Sequence, residues 1–162
     1  MKIKLLRNGK PASEAEILAL ETSLGYRLSD SFRAFVAKHD GAKPEPNEFE
    51  ISHNNGGGVS RFIALNEILK QSAYIENLPR RAYPVATTSG GNFVFIDEDK
   101  NGAVFFWDHE VPDEITQLAP SFGAFLDLLE PFDINTVELK PGQVEKVWID
   151  PEFLKKLRGH RE

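Results

Sequence analysis

Residues 84–109 read PVATTSGGNFVFIDEDKNGAVFFWDH. Two apolar runs in this stretch, Asn92–Asp97 and Ala103–Asp108, are rich in Val, Ile and Phe, residues that suit a pleated, half-buried surface. Between them stands Asn101-Gly102, the strongest short-range hairpin signal because both positions tolerate positive φ. Pro84–Thr87 reads as a third strand, set off by the Ser89-Gly90-Gly91 turn. Consecutive strands joined by such tight turns pair antiparallel. The stretch therefore predicts the centre of a sheet, with a turn at Asn101-Gly102.

Helices are expected on both sides of it. Upstream, Ser13 and Glu16 form a capping-box pair, and Ile17, Leu20 and Leu24 follow at helical spacing before Gly25, a left-handed C-cap. A second helix starts at Ser29 or Asp30, carries Phe32, Phe35 and Val36, and ends at Gly41. The short link predicts that these two pack as a hairpin. Lys43–Asn47 holds two prolines and is expected to break regular structure. Phe49 and Ile51 alternate with polar neighbours, as in a short strand. His53–Gly58 (HNNGGG) reads as a loop, Arg61–Leu65 as a strand, and Asn66 as the cap of a helix with Ile68, Leu69 and Ile75, closed by Pro79. Downstream, Ser121 caps a helix bearing Phe122, Phe125, Leu126 and Leu129, stopped by Pro131. The tail from Ile134 suggests two strands around Pro141-Gly142 and a short helix near Pro151–Leu157. The sum is an α+β body over 1–133 with a C-terminal extension, 134–162, packed on the same domain.

Composition narrows the function classes. The 162 residues include no cysteine, which excludes a disulfide scaffold, a thiolate metal site and a cysteine nucleophile. The net charge of −6 disfavours nucleic acid, whose phosphates need clustered Lys and Arg. Lys155, Lys156, Arg158 and Arg161 are too few, and too mixed with Glu152 and Glu162, to reverse that. The N-terminal apolar run, Leu5-Leu6, is far shorter than a signal peptide requires. No stretch approaches a membrane span. The expectation is a soluble, cytoplasmic protein.

Most chemical motifs dissolve on inspection. Asp97-Glu98-Asp99-Lys100-Asn101-Gly102 matches the start of a calcium loop, with Asp108 at position twelve. That motif needs flanking helices, whereas both flanks here read as strands, and Asp and Asn equally favour a solvated hairpin tip. The histidines, His39, His53, His109 and His160, show no HExxH spacing. His39 suits a helix C-terminus, and His109 follows a strand. Gly56-Gly57-Gly58 lacks the lysine and hydroxyl of a phosphate loop, Gly90-Gly91 lacks dinucleotide spacing, and no G-x-S-x-G elbow occurs. Trp107 reads as core. No catalytic residue, metal or cofactor is assigned.

One anomaly survives. Asp97, Glu98, Asp99, Asp108, Glu110, Asp113 and Glu114 face a single base, Lys100, within 97–114, so this segment alone carries a net charge equal to that of the whole chain. A charge run is commonly a solvated face. The functional alternative is a docking surface for a basic protein partner, because complementary charge raises association rate and selectivity.

The series of motifs resembles the SUKH superfamily, the yeast cell-wall-assembly regulators and the bacterial immunity proteins related to them. The matching residues are Leu20-Glu21, Leu24-Gly25, Leu28, Phe32 and Phe35 before Gly41, then Pro84, Gly91-Asn92, Asp97, Val104 through His109, and finally Phe122, Phe125 and Leu126. They span about residues 13–131. The resemblance implies a central, mostly antiparallel sheet flanked by helices, and a binding role without catalysis. For bacterial members it implies immunity: neutralising a toxin, often a nuclease, by occlusion. A regulatory scaffold for an endogenous partner and an enzyme whose site is assembled at long range stand as alternatives.

Overall fold

The computed structural model describes residues 4–7, 9–52 and 55–131. Strand β1 (Lys4–Arg7) leads into helix α1 (Glu14–Leu24) and helix α2 (Asp30–His39). Strands β2 (Lys43–Glu45), β3 (Glu48–Ser52) and β4 (Asn55–Phe62) follow, then the short helix α3 (Ile68–Ser72). Strands β5 (Ala82–Thr88), β6 (Phe93–Asp97), β7 (Ala103–Trp107) and β8 (Ile115–Ala119) lead to helix α4 (Phe122–Leu128). Strands β3 to β8 form one six-stranded sheet in sequence order, with every pair antiparallel, while β1 and β2 pair separately. The sheet curls so far that it is nearly barrel-like. The fold is α+β, as expected.

The central prediction holds. β6 and β7 pair in unbroken register from Phe93↔Trp107 to Asp97↔Ala103. Their connection begins with a helical turn at Glu98–Lys100, and Asn101 (φ 58°) and Gly102 (φ 73°) then take the left-handed conformation that reverses the chain. The Ser13–Glu16 capping box forms. Gly25 closes α1 at φ 79°, and the Ser121 hydroxyl accepts from the Ala124 N–H at 3.2 Å.

Several local readings need correction. Asn55–Gly58 belong to β4, not to a loop; His53 lies outside the described residues. The strand expected at Arg61–Leu65 ends at Phe62. Lys43–Glu45 form a strand despite Pro44, because β2 pairs only with β1 and does not need an N–H at every position. The third helix is capped at Glu67 rather than Asn66 and ends before Ile75. Strand β8, which follows the acidic segment, was not foreseen. The strands and helix expected after Ile134 lie outside the described residues.

Aromatic side chains join the helices to the sheet. Phe32 and Phe35 of α2 meet Phe122 of α4 with ring centres 5.1 and 5.2 Å apart, and Phe35 meets Phe62 of β4 at 4.7 Å. Phe49 of β3 lies between Phe106 of β7 and Phe125 of α4. Such tilted and edge-to-face pairs add about 0.5–1.5 kcal/mol each beyond burial. Helices α1 and α2 are tied by Arg33, which pairs with Glu14 and, at 2.5 Å, with Glu21.

Candidate functional site

The seven acids divide between the two ends of the β6–β7 hairpin. Asp97, Glu98 and Asp99 sit at its turn, while Asp108, Glu110, Asp113 and Glu114 follow its other end. The register puts the full strand length between the groups, about 14 Å for five residues.

The turn group is engaged in holding the fold. Asp97 is buried, and its side chain accepts from the Asp99 N–H at 3.0 Å. Glu98 Oε1 accepts from the Ser29 N–H and from the Tyr83 hydroxyl, each at 2.7 Å. Those contacts bind the hairpin tip to the start of α2. Burial, with lesser help from Glu98, pushes the Tyr83 phenol well above its usual range. Burial first, and then the charge of Glu98, pushes the nearby Tyr26 phenol up to about 12. Asp99 is exposed and pairs with Arg81 at 3.2 Å, and Arg81 lies over the Tyr26 ring. The three carboxylates of the calcium-like motif thus each turn to different partners and share none.

The second group stands on the β7–β8 connection. Glu110, Asp113 and Glu114 are exposed, Asp108 is partly so, and Val111 and Ile115 expose apolar surface among them. Asp108 Oδ1 accepts from the Glu110 N–H at 2.9 Å. Asn92 Oδ1 accepts from the backbone N–H of His109 at 3.1 Å and lies 2.6 Å from His109 Nδ1, which fixes that ring nitrogen as the donor. His109, which follows β7, is thus held by an asparagine side chain. Trp107 is buried as expected, although its Nε1 has no hydrogen-bond partner among the described residues.

Beside this group opens a cleft of about 230 Å³, lined by Glu48 and Ile51 of β3, the backbone of Gly56–Gly58, Ser89, Asn92, Phe106 and Asp108. The cleft was not foreseen, since the glycine triplet reads as a turn. The usable signal was the alternation Glu48-Phe49-Glu50 a few residues before it. Paired as a hairpin, these strands set Phe49 opposite Gly57 and Glu48 opposite Gly58. A side chain on Gly57 would come within 2.9 Å of the Phe49 ring, so the ring occupies the space the glycine leaves.

The chain matches the SMI1 / KNR4 family (SUKH-1) over residues 11–128 and belongs to that family. It is also similar to the SPbeta prophage-derived uncharacterized protein YokK of Bacillus subtilis (strain 168), with 28% identity over 137 residues, covering 68% of this chain and 71% of the relative. The matched span runs from just before α1 to the end of α4 and contains the six-stranded sheet, the hairpin and the cleft. Among the described residues no helix is long and apolar enough to cross a membrane.

Proposed function

We propose that this chain is a non-catalytic protein-binding module that neutralises a cognate toxin in the cytoplasm by covering the toxin's working surface. Its partner is a protein with a basic face, of the kind a nuclease uses to hold phosphates. Family membership supports the binding role. The observation that carries the choice of partner is the exposed β7–β8 connection, where Asp108, Glu110, Asp113 and Glu114 surround the apolar Val111 and Ile115. An apolar centre inside a charged rim is the usual anatomy of a protein interface. A rigid sheet beneath it lowers the ordering cost of association. The remaining residues of the acidic segment, Asp97, Glu98 and Asp99, contribute field at longer range.

The test has two stages. Tagged full-length chain is used to capture its partner from the native cell, and the captured protein is then expressed alone and together with this chain. The expected result is growth arrest by the partner and restored growth on co-expression. A captured protein that is harmless when expressed alone would instead favour a scaffold for an endogenous partner.

A further inference from the structure

The β7–β8 connection is held by a residue outside the acidic segment. The pairing of β6 with β7 ends at Phe93↔Trp107, so Asn92 and Asp108 are the next residues on either side. Two successive turns follow. Asp108 Oδ1 accepts from the Glu110 N–H at 2.9 Å and the Asp108 carbonyl from the Val111 N–H at 3.3 Å. The Val111 carbonyl then accepts from the Glu114 N–H at 2.9 Å. These bonds lie within the connection. Asn92 ties it to the start of β6, because its Oδ1 meets both the main-chain N–H and the ring Nδ1 of His109. The chemistry of that contact assigns each atom. A backbone N–H can only donate, so the Asn92 atom it reaches is the amide oxygen. An amide oxygen can only accept, so Nδ1 carries the ring proton. In the neutral ring Nε2 is then bare, and it has no partner among the described residues. The His109 side chain is 49% exposed, between the acids Asp108 and Glu110. Trp107 beneath it is 3% exposed, so the strand end that carries the connection is anchored in the core.

We propose that Asn92 is the positioning residue of the docking surface: it clamps the β7–β8 connection in one conformation and leaves His109 Nε2 as a bare acceptor for the N–H donors of the basic partner. The inference rests on the binding role proposed above and deepens it by naming what holds that surface in shape. A loop ordered before contact need not be ordered at the expense of affinity. The clamp can be removed without disturbing the turn that carries it. The Asn92 main chain is extended (φ −80°, ψ 166°), a conformation alanine also adopts. Its carbonyl accepts from the Thr88 N–H at 2.9 Å whatever the side chain.

The test uses the 15N-labelled full chain, Asn92→Ala, and Asn92→Asp, which keeps an acceptor oxygen. Nitrogen spectra of the neutral ring should place the proton on His109 Nδ1 in the wild type. In Asn92→Ala the ring should exchange between both tautomers, and the His109 amide should exchange with solvent about tenfold faster. Asn92→Asp should restore both readings. The binding probe is an acetylated, amidated hexa-arginine peptide at low ionic strength. It should move the amide signals of residues 108–114 in the wild type. Asn92→Ala has the same net charge and should bind the peptide about three- to tenfold more weakly. A proton on Nε2 in the wild type, or an unchanged ring and exchange rate in Asn92→Ala, would overturn the clamp. A released ring with undiminished peptide binding would overturn its positioning role. Silent 108–114 amides in the wild type would overturn the basic-partner reading itself, while the ring and exchange measurements still decide the clamp.

Discussion

Glu98 shares the sign of its neighbours but not their situation. Its carboxylate answers the Ser29 N–H and the hydroxyl of the fully buried Tyr83. Removing it takes the acceptor from the Tyr83 hydroxyl and leaves the Ser29 N–H only its longer bond to the Tyr83 oxygen, at 3.2 Å, at a cost of about 1–3 kcal/mol. Asp99, one residue on, pairs with Arg81 across side chains that are 53% and 46% exposed, and such a pair contributes about 0–1 kcal/mol. Denaturant unfolding should therefore separate Glu98→Ala, clearly destabilised, from Asp99→Ala, nearly unchanged. Similar losses in both would refute the division of the acidic segment. A second residue-scale prediction concerns acid. Burial works to raise the Glu21 carboxyl, yet the Arg33 guanidinium, the Leu28 N–H and the more distant charge of Arg27 outweigh it, so the group sits below its ordinary value of 4.5. A lowered folded pKa means that the unfolded chain binds the proton more readily, so stability rises with pH across this range. The contribution of Glu21 is fully present above about pH 4.5 and is lost as pH falls through the lowered folded value. Glu21→Gln should flatten that acid limb in unfolding midpoints measured from pH 7 down to about 3. It should also destabilise the fold at neutral pH, by about 1–3 kcal/mol, because it takes from the partly buried Arg33 one of its two carboxylate partners and leaves it Glu14.

At the scale of elements, the β6–β7 hairpin depends on its reversal. Gly102 takes φ +73°, and a Cβ there would meet the Ser29 Cβ at 3.4 Å. Gly102→Ala should cost about 1–2 kcal/mol through the left-handed conformation alone. Asn101→Gly, at a position with φ 58°, should be neutral or mildly stabilising. Thermal unfolding of the two variants tests this, and an unchanged midpoint for Gly102→Ala would mean that the turn tolerates an ordinary side chain. The hairpin was legible in the sequence because its apolar runs and its turn dipeptide agree with each other. The capping box, Gly25 and Ser121 were legible for the same reason: each carries a local hydrogen-bonding or conformational rule. Strand β4 was not, because Gly56–Gly58 lack strand propensity and are strand only through pairing with β3. Strand β8 was hidden in a different way. Ile115 to Ala119 alternate in exposure, but the acids just before them drew the reading toward solvent. The cleft needs both of the neighbouring strand pairings at once, and no local pattern encodes that. Of the candidate site, the acids could be read from the chain, whereas their separation into a structural and an exposed group required the register.

For the whole molecule the decisive quantity is where unbalanced charge meets a rigid surface. Once a partner is in hand, reversing Asp108 and Glu110 to lysine should slow association and reduce its dependence on salt, the mark of rim charges that steer an encounter. The same variant should unfold within about 1 kcal/mol of the wild type. Stopped-flow mixing at low and high ionic strength measures the first effect and denaturant titration the second. Unchanged rates at both salts would reduce the segment to a solvated face.

The curled sheet has its own consequence, for how copies of the chain coexist at high concentration. An open sheet ends in rows of unpaired N–H and C=O groups that invite another molecule to add a strand, a route to fibrous aggregation. Here the outer strands are β3 and β8. On β3, Glu48 already exchanges both of its backbone hydrogen bonds with Glu130, just past α4, and the strand carries Glu48 and Glu50. β8 is five residues long and lies between Glu114 and Pro120. One free border is thus partly occupied by the chain's own backbone, and the other is short and flanked by a charge and a proline. The acids on and beside these borders, Glu48, Glu50 and Glu114, also repel a second copy approaching border to border, so the chain's own charge works against self-association.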